Sequence, residues 1–266
     1  MSSIFTATNA DGYELMMGRW SRLLAESFLD FADLPDGATA VLDVGCGTGS
    51  LTRSVAARTK AEAVGIDTAA PFVDYARASN RNPRISYAVQ DATALSFASA
   101  SFDAAVSMLV LNFIPEYRRA ASEMIRVTRA GGRIAAACWG VAGGVVTFRM
   151  FWDTAAALDP AASSNRADAL SAPLTRHGEL ASLFRELGLR EVEETDLTIW
   201  MRFQDFADFW TPYTSGQATT GAYVAGLDQP KRERFRAALH DAYCGGREDG
   251  PRAFAAIAHA AKGRVP

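Results

Sequence analysis

This chain of 266 residues is short of several things, and each shortage excludes a class of protein. It has three cysteines, Cys46, Cys138 and Cys244, far apart and without the close pairing of a zinc site or disulfide framework. So sparse and odd a set fits reduced thiols; the expected location is cytoplasmic and no metal is expected. Histidine is as rare: His177, His240 and His259 are the only three. His177 reads as a solvated or capping residue at a helix start, His240 as part of a charged helix and His259 as a strand residue. No catalytic base is assigned, and Asp153 and Glu116 are weaker candidates still.

Long apolar runs are missing too. None reaches the roughly 20 residues of a membrane-spanning helix, and residues 1–17 lack the basic region and apolar block of a secretory signal. A strong excess of one charge is also absent: 27 Lys and Arg stand against 30 Asp and Glu, a formal net charge of −3. That balance argues against nucleic acid as a partner, because neutralising phosphates needs a basic face. The densest basic stretch, KRERFR at 231–236, reads as a solvated helix face. Neither a membrane nor nucleic acid is therefore expected as a partner; a monomer or homodimer acting on a small molecule is.

What is present is an alternation of short apolar runs with helix-like segments. Strands are predicted at 39–44, 61–67, 84–91, 102–111 and 133–139, with helices between most of them and a helix at 116–129 that AGG interrupts. Pro71 suits the first turn of a helix. Further on, a helix within 148–159, another from 177 to a stop at Gly188, a strand at about 191–203, helices over 204–246 and a closing strand from about 250 are expected. Regular alternation points to an α/β fold. The economical form is a Rossmann-like doubly wound sheet, mostly parallel with an antiparallel last strand, plus helical lid insertions.

The glycine-rich stretch VLDVGCGTGSLT, residues 41–52, follows the first strand. A nucleoside-triphosphate loop needs Lys then Ser or Thr after its last glycine, and here Gly49 is followed by Ser50 and Leu51. A dinucleotide fingerprint needs Gly or Ala at its sixth position; Gly45 and Gly47 fit, but that position is Ser50, with Gly49 extra. Asp43, just before the loop, would repel a pyrophosphate and attract an ammonium group. Asp67 ends the second strand, where an acid can accept from ribose hydroxyls. Asp91 ends the third strand and can accept from an adenine amino group. Three acids in one row imply a ligand with an ammonium, a ribose and an adenine but no phosphate, which is S-adenosylmethionine. The plainer alternative, strand-end acids capping the next helix, covers one such residue better than three.

Together, VLDVGCGTG, VGID, QDATALSFASASFDAAVSMLVLNFI and EMIRVTRAGGRI resemble the class I S-adenosylmethionine-dependent methyltransferases, in the ubiquinone and menaquinone C-methyltransferase branch. The resemblance is strong over residues 39–138 and extends weakly into GYELMMGRWSRLLAESFLDF upstream. It implies Asp43, Gly45 and Gly47, with Cys46 between them, at the methionine end of the cofactor. It implies Asp67 and Thr68 at the ribose, Asp91 and Ala92 at the adenine, and Met108 and Leu109 along the sulfonium and adenosine. It also implies that the upstream segment folds over the cofactor, with Tyr13 and Met17 near the methionine and Arg19 near its carboxylate. Ala130 departs from the family's usual proline in a turn.

The expected organisation is a helical lead-in at 1–38, a cofactor-binding core at 39–140, and the rest of the sheet at 141–266 with lid insertions at 141–175 and 204–246. Trp20, Leu24 and Phe28 recur at helical spacing and should face the core. Asn112 stands where methyltransferases of amino groups carry Asn-Pro-Pro-Tyr, but without those prolines. Trp152, Trp210 and Tyr213 are candidates for an aromatic acceptor pocket. The expected activity is methyl transfer to a small apolar or aromatic metabolite. The alternatives are a nicotinamide-dependent oxidoreductase, which Ser50, Gly49 and Asp43 disfavour, and a binding protein that holds the cofactor without transferring its methyl group.

Overall fold

The computed structural model describes residues 9–216 and 218–266; the first eight residues of the expected lead-in lie outside them. Seven strands form one sheet: β1 (Ala40–Val44), β2 (Glu62–Asp67), β3 (Ile85–Val89), β4 (Phe102–Met108), β5 (Thr128–Trp139), β6 (Arg190–Phe203) and β7 (Arg252–Arg264). Their order is β3-β2-β1-β4-β5-β7-β6. The first five pair in parallel, and β7 inserts antiparallel between β5 and β6. This is the doubly wound sheet with an antiparallel last strand that the alternation predicts.

Local sequence explains which strands sit where. Every residue of β4, FDAAVSM, is buried, as expected of a central strand covered by helices on both faces. Along the edge strand β6, buried Leu197, Ile199, Met201 and Phe203 alternate with exposed Thr198, Trp200 and Arg202. That is the two-residue period of a strand with one wet face.

The helices α1 (Ala10–Tyr13), α2 (Arg19–Ala32), α3 (Ser50–Arg58) and α4 (Ala70–Ser79) precede or flank the first three strands. α5 (Tyr117–Val127) links β4 to β5; α6 (Val146–Leu158), α7 (Ala162–Leu170) and α8 (Glu179–Glu186) lie between β5 and β6. Between β6 and β7 come α9 (Phe206–Trp210), α10 (Ala218–Gly226) and α11 (Gln229–Cys244). One apolar layer joins α2, α3 and α4 with α6, α9 and α11 on one side of the sheet. The other joins α5 and α8 on the opposite side. Trp20, Leu24 and Phe28 face the first layer, as their spacing predicts, and the basic residues Lys231, Arg234 and Arg236 are exposed on α11.

Two boundaries differ from expectation. The helix before β5 ends at Val127, and residues 128–132, expected to break it, enter β5 through an irregular pairing with Gly131 at φ +74°. The fourth strand stops at Met108, because Leu109 turns into the left-handed region at φ +66°. A leucine there is strained and starts a tight turn through Leu111–Phe113. Connections leave β1 toward β2 on one side and β4 toward β5 on the other. The carboxyl ends of β1 and β4 therefore form the switch point where open α/β sheets bind ligands.

Candidate functional site

At that switch point lies a cleft of about 880 Å³, walled by the turns after β1, β2, β3 and β4 and roofed by Tyr13. Gly45 and Gly47 form its floor. Both have positive φ, +77° and +52°, and a Cβ on Gly45 would fall 2.4 Å from a methyl of Val110. Only glycine gives this turn its shape without strain. The backbone N–H groups of Gly45 and Cys46 both donate to the carbonyl of Ile66, at 2.8 Å, tying the loop to β2.

Asp67 is the last residue of β2 and lines the cleft. One of its oxygens accepts from the Gly47 N–H and the other from the Ala69 N–H, each at 2.9 Å. Burial pushes its carboxyl above the usual range, and those backbone donors resist the shift. Each oxygen keeps a second lone pair, so two neighbouring hydroxyls can still donate to it.

Asp43 lies deeper, beneath the loop, and is 2 % exposed. One oxygen accepts from the Thr52 hydroxyl at 2.6 Å; the other has no hydrogen-bond partner among the described residues. Burial pushes this carboxyl up to about 7 against the opposing Thr52 bond, with the charge of Asp67 adding to the rise. A buried carboxylate with an idle oxygen is a site for a cationic partner.

The three acids are stepped rather than level. Asp43 pairs with Gly65 and Asp67 with Val89, so Asp67 lies two residues further out, and Asp91 two further again. At about 3.3 Å per residue each step is roughly 7 Å, so the row runs obliquely under an elongated ligand. Asp91 itself is exposed in a turn, where one oxygen accepts from the N–H and hydroxyl of Thr93 at 2.8 Å. With Ala92 and Thr68 it lines the cleft.

The lead-in reaches the loop through a single turn of π-helix, Glu14–Gly18, a form that often marks functional sites. Glu14 accepts from the Thr48 hydroxyl at 2.5 Å and from Arg22 at 2.6 Å, fastening the segment to the glycine turn. Tyr13 sits over Gly47 and against Phe72, ring centroids 5.0 Å apart. Burial pushes its hydroxyl up to about 12, so it stays protonated as a donor.

Several expected residues lie elsewhere. Arg19 turns away from the cleft: its guanidinium pairs with Asp208 of α9 at 2.9 Å and packs over Trp20 and Phe203. Met17 packs against the apolar layer under α2. Cys46 and Met108 are buried behind the loop and at the end of β4, not on the cleft wall. Asn112 is buried as well. Trp152, Trp210 and Tyr213 join Phe151, Tyr223 and Phe235 in one continuous aromatic core, Trp152 being 1 % exposed. They hold α6 and α9–α11 to the sheet instead of lining the cleft. Asp153 is taken up by ion pairs with Arg149 and Arg166.

The far wall of the cleft, missed from sequence, is Val110, Phe113, Ile114 and Pro115, with Glu116 at its rim. Its signal was present in the apolar LNFIP run directly after β4, read there only for the prolines it lacks.

Residues 42–136 match the family model described as a methyltransferase domain. That stretch is a methyltransferase domain. The matched residues of the methyltransferase domain hold both glycines of the turn and all three acids. Part of the chain is also similar to curated proteins. It is 31 % identical over 163 residues to the 24-methylenesterol C-methyltransferase 2 of Oryza sativa, covering 60 % of this chain and 43 % of that one. It is 38 % identical over 110 residues to the 2-phytyl-1,4-naphtoquinone methyltransferase of Thermosynechococcus vestitus, covering 40 % of this chain and 48 % of that one. The chain thus spans less than half the length of these two relatives. In fold it is similar to a Haemonchus contortus phosphoethanolamine N-methyltransferase 2 solved with S-adenosyl-L-methionine. That match has a TM-score of 0.59 and 15 % identity over 97 % of this chain and 56 % of the other. The residues in and beneath the cleft fit that cofactor: an idle buried carboxylate oxygen under the loop that could face an ammonium, a cradle only glycine permits, and the carboxylate of Asp67 on the cleft wall.

Proposed function

We propose that the chain is a methyltransferase acting on a small apolar or aromatic metabolite, with S-adenosylmethionine bound across the stepped acids. The observation that carries this is the idle oxygen of Asp43 beneath a glycine turn that Asp67 holds open. When bound, the cofactor would supply a methyl group that the acceptor takes in line, the S–CH3 bond pair staying on sulfur as the neutral thioether leaves. Asp43 would pair with the ammonium, Asp67 with Thr68 would hold the ribose, and Asp91 with Ala92 would frame the adenine. Tyr13 and Phe72 close the cleft over the loop and exclude water, which matters more here than proton transfer.

The acceptor side is the wall of Leu109, Val110, Phe113, Ile114 and Pro115, which is apolar throughout and suits a flat or lipid-like molecule. Glu116, at the rim, is the carboxylate nearest that wall in sequence and is the candidate to take a proton where the acceptor must lose one. Small-molecule methylation is also what the names of the sterol and quinone relatives describe. The near-neutral charge favours a small molecule over nucleic acid, and among the described residues no helix is long and apolar enough to cross a membrane. We place the activity in the cytoplasm, in a monomer or homodimer.

The test is incubation with methyl-labelled cofactor and apolar metabolite fractions from the source cell, followed by mass spectrometry. Label in an apolar product is expected. Intact cofactor binding with no labelled product from any fraction would favour a protein that holds the cofactor without transferring the methyl.

A further inference from the structure

Two of the three histidines, separate in sequence, meet on the α8 side of the sheet. His259 of β7 stands directly across from Asp196 of β6, with its Nδ1 2.6 Å from an Asp196 oxygen. His177, in the turn before α8, brings its own Nδ1 to 3.3 Å from that same oxygen. Nitrogen and oxygen ligand atoms of the three residues all lie within 4.8 Å of one another. A zinc ion with bonds of about 2.0–2.2 Å holds tetrahedral ligands roughly 3.4 Å apart, so small adjustments would admit one.

The surroundings of His177 suit a metal ligand as well as its position does. The other ring nitrogen of His177, Nε2, is 2.6 Å from an oxygen of Glu194. A ring carrying two protons would donate to Glu194 and Asp196 at once, whereas a ring carrying one proton keeps a lone pair on its other nitrogen. With a cation between the Nδ1 atoms and Asp196, Nε2–H of His177 would donate to Glu194 while the Nδ1 lone pairs face the ion. A ligating histidine whose second nitrogen donates to a carboxylate is the usual arrangement around zinc. The other ring is aimed as well. His259 Nε2 packs on Gly140, where a Cβ would come within 2.7 Å, and this turns Nδ1 toward Asp196.

We propose that His177, Asp196 and His259 bind a divalent transition-metal ion of the zinc type, with Glu194 as the positioning residue for His177. The fourth position is left to water, since His177 and Asp196 are exposed. The ion would clasp the turn before α8 to β6 and β7, away from the cleft; the proposal does not depend on methyl transfer.

The test uses the full chain stripped with a chelator, then titrated with Zn²⁺ against a chromophoric competitor and separately with Co²⁺. One equivalent of zinc and the intense visible bands of four-coordinate cobalt are expected. His177→Gln, at an exposed position, should abolish both while circular dichroism stays unchanged. Glu194→Gln should weaken zinc about 10–100-fold, the usual effect of losing an orienting partner. His240→Gln is the control, because His240, Cys244 and Asp249 form a second possible ligand group; it should leave uptake intact. No uptake, uptake that survives both His177→Gln and Asp196→Asn, or uptake lost only in His240→Gln would overturn the proposal.

Discussion

The carboxylate of Asp67 holds the backbone N–H of Gly47 at 2.9 Å, so the end of β2 fixes the turn that follows β1. One side chain thus shapes the loop and, under the proposed function, would also face the ribose. Asp67→Ala should lower the affinity for S-adenosylmethionine by about 1–3 kcal/mol, the range for leaving buried polar partners unmatched. Calorimetry measures it directly; unchanged affinity would move the ribose elsewhere.

Asp43 gives a pH signature. Its carboxyl titrates at about 7 in the folded chain and near 3.9 unfolded. Between those values the folded state holds a proton that the unfolded state has released, so stability falls as pH rises from about 4 to 7. Asp43→Asn should flatten that part of the melting profile. A cation beside Asp43 favours its charged form, so cofactor binding should tighten as pH rises through about 7 and release a proton. Binding heats in buffers of different ionisation enthalpy would detect that proton.

Gly45→Ala should be severe for two reasons. An L-residue at φ +77° costs about 1–2 kcal/mol, and its Cβ would meet Val110 at 2.4 Å. Adding Val110→Ala should recover part of the cofactor affinity by relieving the clash, leaving the backbone strain. Equal binding by the single variant and wild type would show that the turn tolerates a side chain.

The Glu14–Thr48 tie should control access. Glu14→Gln removes the charge from two hydrogen bonds, worth about 1 kcal/mol of closure. Stopped-flow fluorescence should show faster cofactor release, and hydrogen exchange should show less protection over residues 10–18. Unaltered release would mean that the lead-in does not gate the cleft.

Trp152→Ala should separate packing from recognition. At 1 % exposure among Phe151 and Tyr223, its loss should destabilise the chain by about 3–5 kcal/mol. Cofactor affinity in the folded fraction should not change. Phe113→Ala should do the reverse, with little loss of stability and a changed acceptor preference.

Much of this was legible in the residues themselves. Buried parallel strands announce themselves as short apolar runs, and Gly45, Gly47, Asp67, Thr68, Asp91 and Ala92 sit at strand ends whose positions those runs define. What stayed hidden depends on contacts distant in sequence. Arg19 reads as a ligand residue until Asp208, 189 positions away, is seen to take it. Trp152, Trp210 and Tyr213 have the composition of a pocket, and composition is the same for aromatics that pack against one another. The meeting of His177 with His259 rests on the β6–β7 register, which no local pattern encodes.

The most direct test of the account is titration of the full chain with S-adenosylmethionine and, separately, with NAD⁺. It predicts saturable binding of a single S-adenosylmethionine, weakened by Asp67→Ala, and no binding of NAD⁺. Binding of NAD⁺ without S-adenosylmethionine, or S-adenosylmethionine binding indifferent to both Asp43→Asn and Asp67→Ala, would contradict it.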